Sequence, residues 1–255
     1  MAWIPADSAF NPDEHDNDVV GIASELTQHD SGNHYHKKGQ LLFSQQGCMR
    51  ITLNNSICLL PPGRIAWIPP GVVHRVQIRG VVGYRSIYVD NQRHPVFSPD
   101  VEVLNVTALL RETVERIAFA DFSMNWRYGA AAHIWAVCKD EINSTQREPT
   151  ILPLPKDRRL RCLSDMEMPP PLQMLAVNTG ATAKTISRIM MKETGLNYQQ
   201  WRQQWRLFKA IELLAEAQPI SEVASFLAFS SDSAFTTFFK NMTGSTPRTY
   251  MGQRR

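Results

Sequence analysis

Cysteine is scarce in this chain and poorly spaced for chemistry. Its four copies, Cys48, Cys58, Cys138 and Cys162, form no CxxC pair, so neither a zinc knuckle nor a disulfide framework is indicated. Long apolar runs are missing: none approaches the roughly 20 residues that span a bilayer. Met1 to Phe10 also lacks a basic segment followed by an apolar core. At 43% hydrophobic and 20% charged residues, the composition is that of an ordinary soluble globular protein. The expected location is the cytoplasm, with no membrane partner.

What is present is unevenly placed. The 255 residues suggest two domains or one large one, and the net charge is only +3. Residues 156 to 255 nevertheless hold 14 Lys/Arg against 8 Asp/Glu, whereas residues 1 to 155 hold 13 against 16. A basic C-terminal part behind a mildly acidic N-terminal part suits a nucleic-acid module joined to something else.

Residues 1 to 20 are polar and acidic and read as a frayed arm. From about Val19 to Val89 come short β-type runs broken by Gly, Pro and Asn, with Asn54-Asn55 as a hairpin turn, which implies a small β-sandwich or barrel. Two of its pieces carry histidine: Gly32-Asn33-His34-Tyr35-His36 followed by Gln40, and Gly63 to His74. His34 and His36, two apart on a strand, point to one face. These pieces are similar to the two motifs of the cupin superfamily, a β-barrel that holds a metal on three histidines and an acid. The resemblance assigns His34, His36 and His74 as metal ligands and puts Gln40 where metal cupins carry Glu. Three occupancies stay open: a divalent metal on the histidines, a metal-free ligand pocket, and purely structural histidines. Phe43, Trp67 and Tyr84 are expected to join His34, His36, Gln40 and His74 in lining the pocket, with a core role as the rival reading for Trp67.

After Pro95 and Pro99 the period becomes helical, through Val103, Val106, Leu110, Val114 and Ile117, then again from Trp126 to Ile142. These two helices must cover their apolar faces against the barrel or a second copy. Residues 143–156 hold three prolines without a period and read as a linker.

The last quarter is the most informative stretch. Ile220, Val223, Ala224 and Leu227 describe a short amphipathic helix, Ser231 offers an N-cap, and Phe235, Phe238 and Phe239 give a second helix its apolar face. Spacing alone fits an ordinary helical hairpin equally well as a helix-turn-helix. The run ISEVASFLAFSSDSAFTTFFKNMTGSTPRTY, however, resembles the C-terminal signature of the AraC/XylS family of transcription regulators, with Ala228 where the family usually has Gly. The resemblance reaches back to about Pro155 and takes in a first helix-turn-helix, with Ala176 at the helix crossing, Gly180 in the turn and Thr182 as cap. A supporting helix from Arg158 to Met166 is expected to be shortened by MEMPPP. A long helix capped by Asn197 follows.

This resemblance implies an α+β chain: a cupin-like barrel over 1–100, a helical dimerisation segment over 101–142, the linker 143–156 and an all-α tandem helix-turn-helix domain over 157–255. The implied function is a small-molecule-sensing regulator that binds double-stranded promoter DNA as a homodimer, contacting RNA polymerase if it activates, and is not an enzyme. The expected DNA-facing residues are Ala183, Lys184, Ser187 and Arg188 on the first recognition helix, and Ser231, Asp232, Ser233, Thr236, Thr237 and Lys240 on the second. Arg188 suits guanine. The second helix has no Arg, Asn or Gln before Asn241 and is expected to make phosphate and methyl contacts. Arg206 reads equally as a DNA contact and as an intradomain partner. The rival functions are a cupin metalloenzyme with an accessory helical domain and a ligand-blind dimeric DNA-binding protein.

Overall fold

The structure, a computed structural model, describes residues 3–5, 8, 10–94, 97–148 and 150–251. Pro95 at the expected strand-to-helix change, Pro149 in the expected linker and five residues of the expected arm (Met1, Ala2, Ala6, Asp7, Ala9) lie outside the described residues. The elements in chain order are β1 (Val19–Asp30), β2 (Gly39–Ser44), β3 (Cys48–Leu53), β4 (Ser56–Leu60), β5 (Arg64–Ile68), β6 (His74–Val89), β7 (Glu102–Asn105), α1 (Ala108–Ala118), α2 (Gly129–Ser144), β8 (Ile151–Pro153), α3 (Leu172–Thr179), α4 (Ala183–Thr194), α5 (Tyr198–Ala215), α6 (Ile220–Phe226), α7 (Asp232–Thr243) and α8 (Pro247–Tyr250). They group into two compact units, one of Met1–Leu53 and Leu59–Thr150, the other of Asn54–Cys58 and Ile151–Arg255.

The first unit is an antiparallel β-barrel organised by β6. Its C-terminal half pairs with β2, its N-terminal half with β3, and β1 runs along nearly all of it. The segments HRVQI and YRSIYV, with RGVVG between them, are one strand. Gly80 takes a positive φ of 77°, and the β1–β6 register shifts between Leu26 and Gln28, so the glycine marks a bulge rather than a turn. β2 continues to β5, and β5 to β7.

Alternation divides the wall into two faces. Val19, Leu41, Phe43, Ile65, Trp67, Ile87, Val89 and Leu104 form one core with Leu110, Val114 and Ile117 of α1 and Trp135, Cys138 and Ile142 of α2. The two helices therefore spend their apolar faces on the barrel. α1 comes so close that a side chain at Gly21 would meet the Ile117 carbonyl oxygen at 2.1 Å. The helical pattern predicted from Val103 begins later, because Val103 and Leu104 pair with Ala66 and Ile65 as strand; Val103 and Val106, three apart, happen to mimic the helical spacing. Thr107 caps α1, its side chain accepting from the Leu110 amide.

The arm is more ordered than its composition suggests. Ile4 donates its amide to the Ala23 carbonyl at 2.9 Å, and Phe10 stacks on His15 and Phe122. Asp18 is buried between Arg93 and Arg127. The predicted linker also carries regular structure: Asn143 and Ser144 end α2, and Ile151–Pro153 forms β8 against Ser56–Cys58 of β4.

In the second unit, α5 is the spine. Asn197 and Gln200 make a reciprocal capping box at its start, and its 18 residues extend about 27 Å. The expected helix from Arg158 is a 3-10 turn, Arg158–Ser164, and the proline-rich piece after it is held by α5 side chains. Tyr198 donates to the Pro170 carbonyl at 2.6 Å, Arg202 to Pro169 at 2.7 Å and Trp205 to Glu167 at 3.4 Å. Hydrogen bonds from the spine thus take the place of a longer supporting helix.

Candidate functional site

The inner face of the barrel carries the polar residues. On β2 it is Gln40, on β6 Tyr84, Ser86 and Tyr88, and on β1 Ser24, which stands between the apolar Ile22 and Leu26. A cavity of about 460 Å³ opens there, lined by Ile4, Phe10, Ile22, Leu26, His34, Tyr35, His36, Tyr84 and Tyr88 among others. His34 and His36 in this wall cluster with His74 behind it, with ring centroids 4.3 Å (His34–His74), 4.9 Å (His34–His36) and 5.5 Å (His36–His74) apart. Reciprocal backbone hydrogen bonds between His34 and His74, at 2.9 and 3.0 Å, bring the two motif segments together.

Hydrogen bonds fix two of the tautomers. His34 Nδ1 lies 3.0 Å from the Gly32 carbonyl and His74 Nδ1 lies 2.9 Å from that of Val72. A carbonyl only accepts, so each Nδ1 carries its hydrogen and each Nε2 of a neutral ring is a lone pair. The Nε2 of His36 is buried with no hydrogen-bond partner among the described residues. Burial pushes His36 down to about 4, helped by the neighbouring His34 and His74, and burial likewise pushes His74 down to about 4. Burial raises Tyr84 and raises Tyr88 well above the ordinary phenol value. His36, His74, Tyr84 and Tyr88 are therefore uncharged at neutral pH.

Gln40, 2% exposed, joins the cluster to the barrel. Its Oε1 lies 3.1 Å from His74 Nε2, and its Nε2 lies 2.9 Å from Ser86 Oγ, 3.2 Å from Tyr88 OH and 3.4 Å from Tyr84 OH. Two acceptors cannot bond each other. The contact is satisfied when the amide turns its NH₂ to His74 and its carbonyl accepts from the hydroxyls.

Of the residues expected in the pocket, His34, His36 and Tyr84 line this cavity, and Gln40 and His74 lie directly behind, His74 Nε2 3.1 Å from Gln40 Oε1. Phe43 and Trp67 do not line it. Phe43 is three residues from Gln40 on β2 and so faces the opposite side, and Trp67 packs with it in the helix-covered core, its Nε1 donating to the Ser98 carbonyl at 2.7 Å. Period-2 alternation from Gln40 would have ruled out Phe43; the same rule applied to Tyr84 would have found Ser86 and Tyr88. Phe10 carried no such signal, because it reaches the cavity from outside the sheet.

A metal ion fits this set only in part. Neutral imidazoles with anchored Nδ1–H groups are good ligands. Their three ligand nitrogens lie within 4.8 Å of one another, near enough to share one ion. No Asp or Glu among the described residues lines the cavity, so a divalent charge would go uncompensated.

The second unit presents two helix-turn-helix pairs. Gly180 makes the α3–α4 turn in the left-handed region, and Thr182 caps α4 by accepting from the Thr185 amide. Ile186, Ile189 and Met190 are buried, Lys184 and Arg188 are exposed, and Ala183 and Ser187 are half-buried beside them. In the second pair Ala228 takes the turn with φ 55°. Ser231 caps α7, its hydroxyl accepting from the Ala234 amide at 3.1 Å, so that side chain already has an intradomain task. Asp232, Ser233, Thr237 and Lys240 are exposed and Thr236 is half-buried. Arg206 points inward, where it bonds the Leu227 carbonyl, and is not a surface cation.

Comparison with known proteins agrees with both halves. A family model described as an AraC-like ligand binding domain matches residues 16–121, and one described as a helix-turn-helix domain matches residues 175–253. The HTH-type transcriptional regulator NimR of Escherichia coli (strain K12) is 27% identical over 257 residues, covering 96% of this chain and 92% of that protein. RipA, an HTH-type transcriptional regulator of Corynebacterium glutamicum, is 35% identical over 111 residues, 42% of this chain and 33% of that protein. Among solved structures, ToxT from Vibrio cholerae strain SCE256 bound to unsaturated fatty acid aligns over 92% of this chain and 93% of that one, at 12% identity and a TM-score of 0.36. No helix among the described residues is long and apolar enough to cross a membrane. The chain belongs to the AraC family of transcription regulators, with an N-terminal AraC-like ligand-binding domain and a C-terminal DNA-binding helix-turn-helix domain.

Proposed function

We propose that a small organic molecule enters the barrel cavity of this regulator and alters how α4 and α7 engage double-stranded promoter DNA. The observation that carries the DNA half is Lys184 and Arg188, exposed on a helix whose opposite face is fully buried. Arg188 reads guanine and Lys184 reads guanine or phosphate, with Ala183 and Ser187 close to the bases. On α7, Asp232, Ser233, Thr236, Thr237 and Lys240 make a weaker reader of phosphates and thymine methyls. The effector acts by binding two conformations with unequal affinity, since equal affinity would shift nothing.

The protein works in the cytoplasm as a homodimer, through outward residues of α1 and α2 such as Leu109 and Val137, both exposed. It contacts RNA polymerase where it activates. It is not an enzyme: metal catalysis needs a firmly held ion with an open position, and Gln40 withholds the carboxylate that would help hold one. Gel retardation of genomic fragments by the full chain, at fixed salt and with metabolite extracts, tests this reading. Specific retardation that an extract strengthens or weakens is expected. Promoter binding unchanged by every extract would favour a barrel that only dimerises.

A further inference from the structure

We propose that the effector is an uncharged molecule with an apolar body, held in the barrel cavity by hydrogen bonds to Ser24 Oγ and His36 Nε2. The inference rests on the sensor reading above and adds to it the charge of the ligand and the two atoms that recognise it.

Most polar side chains around the cavity are already committed to the protein. The Tyr84 and Tyr88 hydroxyls lie 3.4 and 3.2 Å from Gln40 Nε2. Ser31 Oγ donates to the Gly32 carbonyl and accepts from the Val76 amide. Asn11 donates to Glu14 and accepts from the Asp13 amide. Two lining atoms differ: Ser24 Oγ and His36 Nε2 are buried and have no hydrogen-bond partner among the described residues. Ser24 is 5% exposed and pairs across the sheet with Tyr84, while the His36 ring stands edge-on to Tyr88 at 5.1 Å. Both tyrosines reach Gln40, so the two atoms border the same stretch of wall. Buried polar atoms without partners are rare, and each costs stability until something bonds it.

Charge decides the class of ligand. The described lining residues include no Asp, Glu, Lys or Arg, and burying an ion without an opposite charge costs far more than burying an amide or a hydroxyl. A serine hydroxyl donates or accepts, and the nitrogen of a neutral imidazole does one or the other according to tautomer. A carboxamide offers both an acceptor and donors, so it can pair with the two atoms in either tautomer. Phe10, Ile22 and Leu26 beside them take the apolar body, as in most small-molecule pockets.

The test is calorimetric titration of the chelator-treated full chain at neutral pH with benzamide, benzoate, benzylamine and toluene. Benzamide is expected to bind roughly tenfold tighter than each of the others. Ser24→Ala should lower benzamide affinity by a similar factor and leave toluene affinity unchanged. Because that substitution deletes an unpaired buried hydroxyl, the unliganded variant should unfold at the same temperature as the wild type or higher. Tightest binding of benzoate or benzylamine would overturn the uncharged class, and equal affinity for benzamide and toluene would overturn the hydrogen-bonded head. A Ser24→Ala chain that melts lower and loses toluene as well as benzamide would make Ser24 structural and sink its role. No binding of any probe would also overturn the inference, and if it comes from protein whose DNA retardation still answers to an extract, the regulator reading survives. Preferred benzamide binding by protein that retards no DNA would do the reverse. The probe series on wild-type protein remains decisive even if Ser24→Ala fails to fold.

Discussion

The guanidinium of Arg206 lies 4.0 Å from the centroid of the Phe229 ring, while its Nη2 donates to the Leu227 carbonyl at 2.6 Å. Leu227 closes α6 and Phe229 leaves the turn, so one side chain from α5 fixes both sides of the second helix-turn-helix. Phe238 on α7 adds a third contact, 5.6 Å from the same guanidinium. Burial lowers the pKa of Arg206, consistent with a group committed to the interior.

Arg206→Met should therefore destabilise the second unit by about 2–3 kcal/mol, through an unsatisfied carbonyl and the lost cation–ring contact. Denaturant titration measures this. The salt dependence of DNA binding should stay unchanged. A slope shallower by about one charge, with stability intact, would make Arg206 a phosphate contact.

Ala228 holds a φ of 55°, where a side chain costs about 1–2 kcal/mol relative to glycine. Ala228→Gly should raise stability by about 0.5–1 kcal/mol after the entropy of the more flexible unfolded chain is deducted. A lower denaturation midpoint in that variant would contradict the turn geometry.

Arg188→Ala should cost about 1–3 kcal/mol of specific DNA affinity and relax preference at one base position, whereas Lys240→Ala should weaken all sequences alike. The two outcomes are separated by measuring affinity for the operator and for scrambled DNA at one salt concentration. An unchanged footprint and dissociation constant for Arg188→Ala would remove that residue from base reading.

Histidine burial sets a pH dependence. His36 and His74 are lowered from 6.5 to about 4, so the folded barrel keeps them neutral where the unfolded chain takes up protons. That contribution is present above pH 6.5 and is lost as pH falls toward 4. The unfolding temperature of the barrel should drop across this window, and its upper part, above the carboxylate range, should flatten in a His36→Phe, His74→Phe variant. A wild-type unfolding temperature constant from pH 6.5 to 5 would contradict the buried neutral rings.

Much of this arrangement was legible in the sequence because local chemistry set it. The caps Thr182, Asn197 and Ser231 each start the helix expected of them, and His34 and His36, two apart in sequence, bring their rings to 4.9 Å. What local pattern cannot carry is which side of a wall becomes a cavity. Phe43 and Trp67 are aromatic and near the motifs, yet the side they occupy was claimed by α1 and α2, more than 40 residues later. The arm was misread for the same reason. Asp18 looks like one more surface acid until Arg93 and Arg127, distant in sequence, close over it. Nor could composition show that β8 would form in a proline-bearing stretch, since its partner Ser56–Cys58 lies almost 100 residues earlier.

The central claim is that α4 and α7 together read promoter DNA. Sequencing of native genomic fragments captured by the purified full chain, at low ionic strength and with competitor DNA, tests it most directly. The account predicts an enriched motif of two blocks about one duplex turn apart, roughly 34 Å, with the stronger block lost in Arg188→Ala. Capture of fragments without any shared motif, or of none at all, would contradict it.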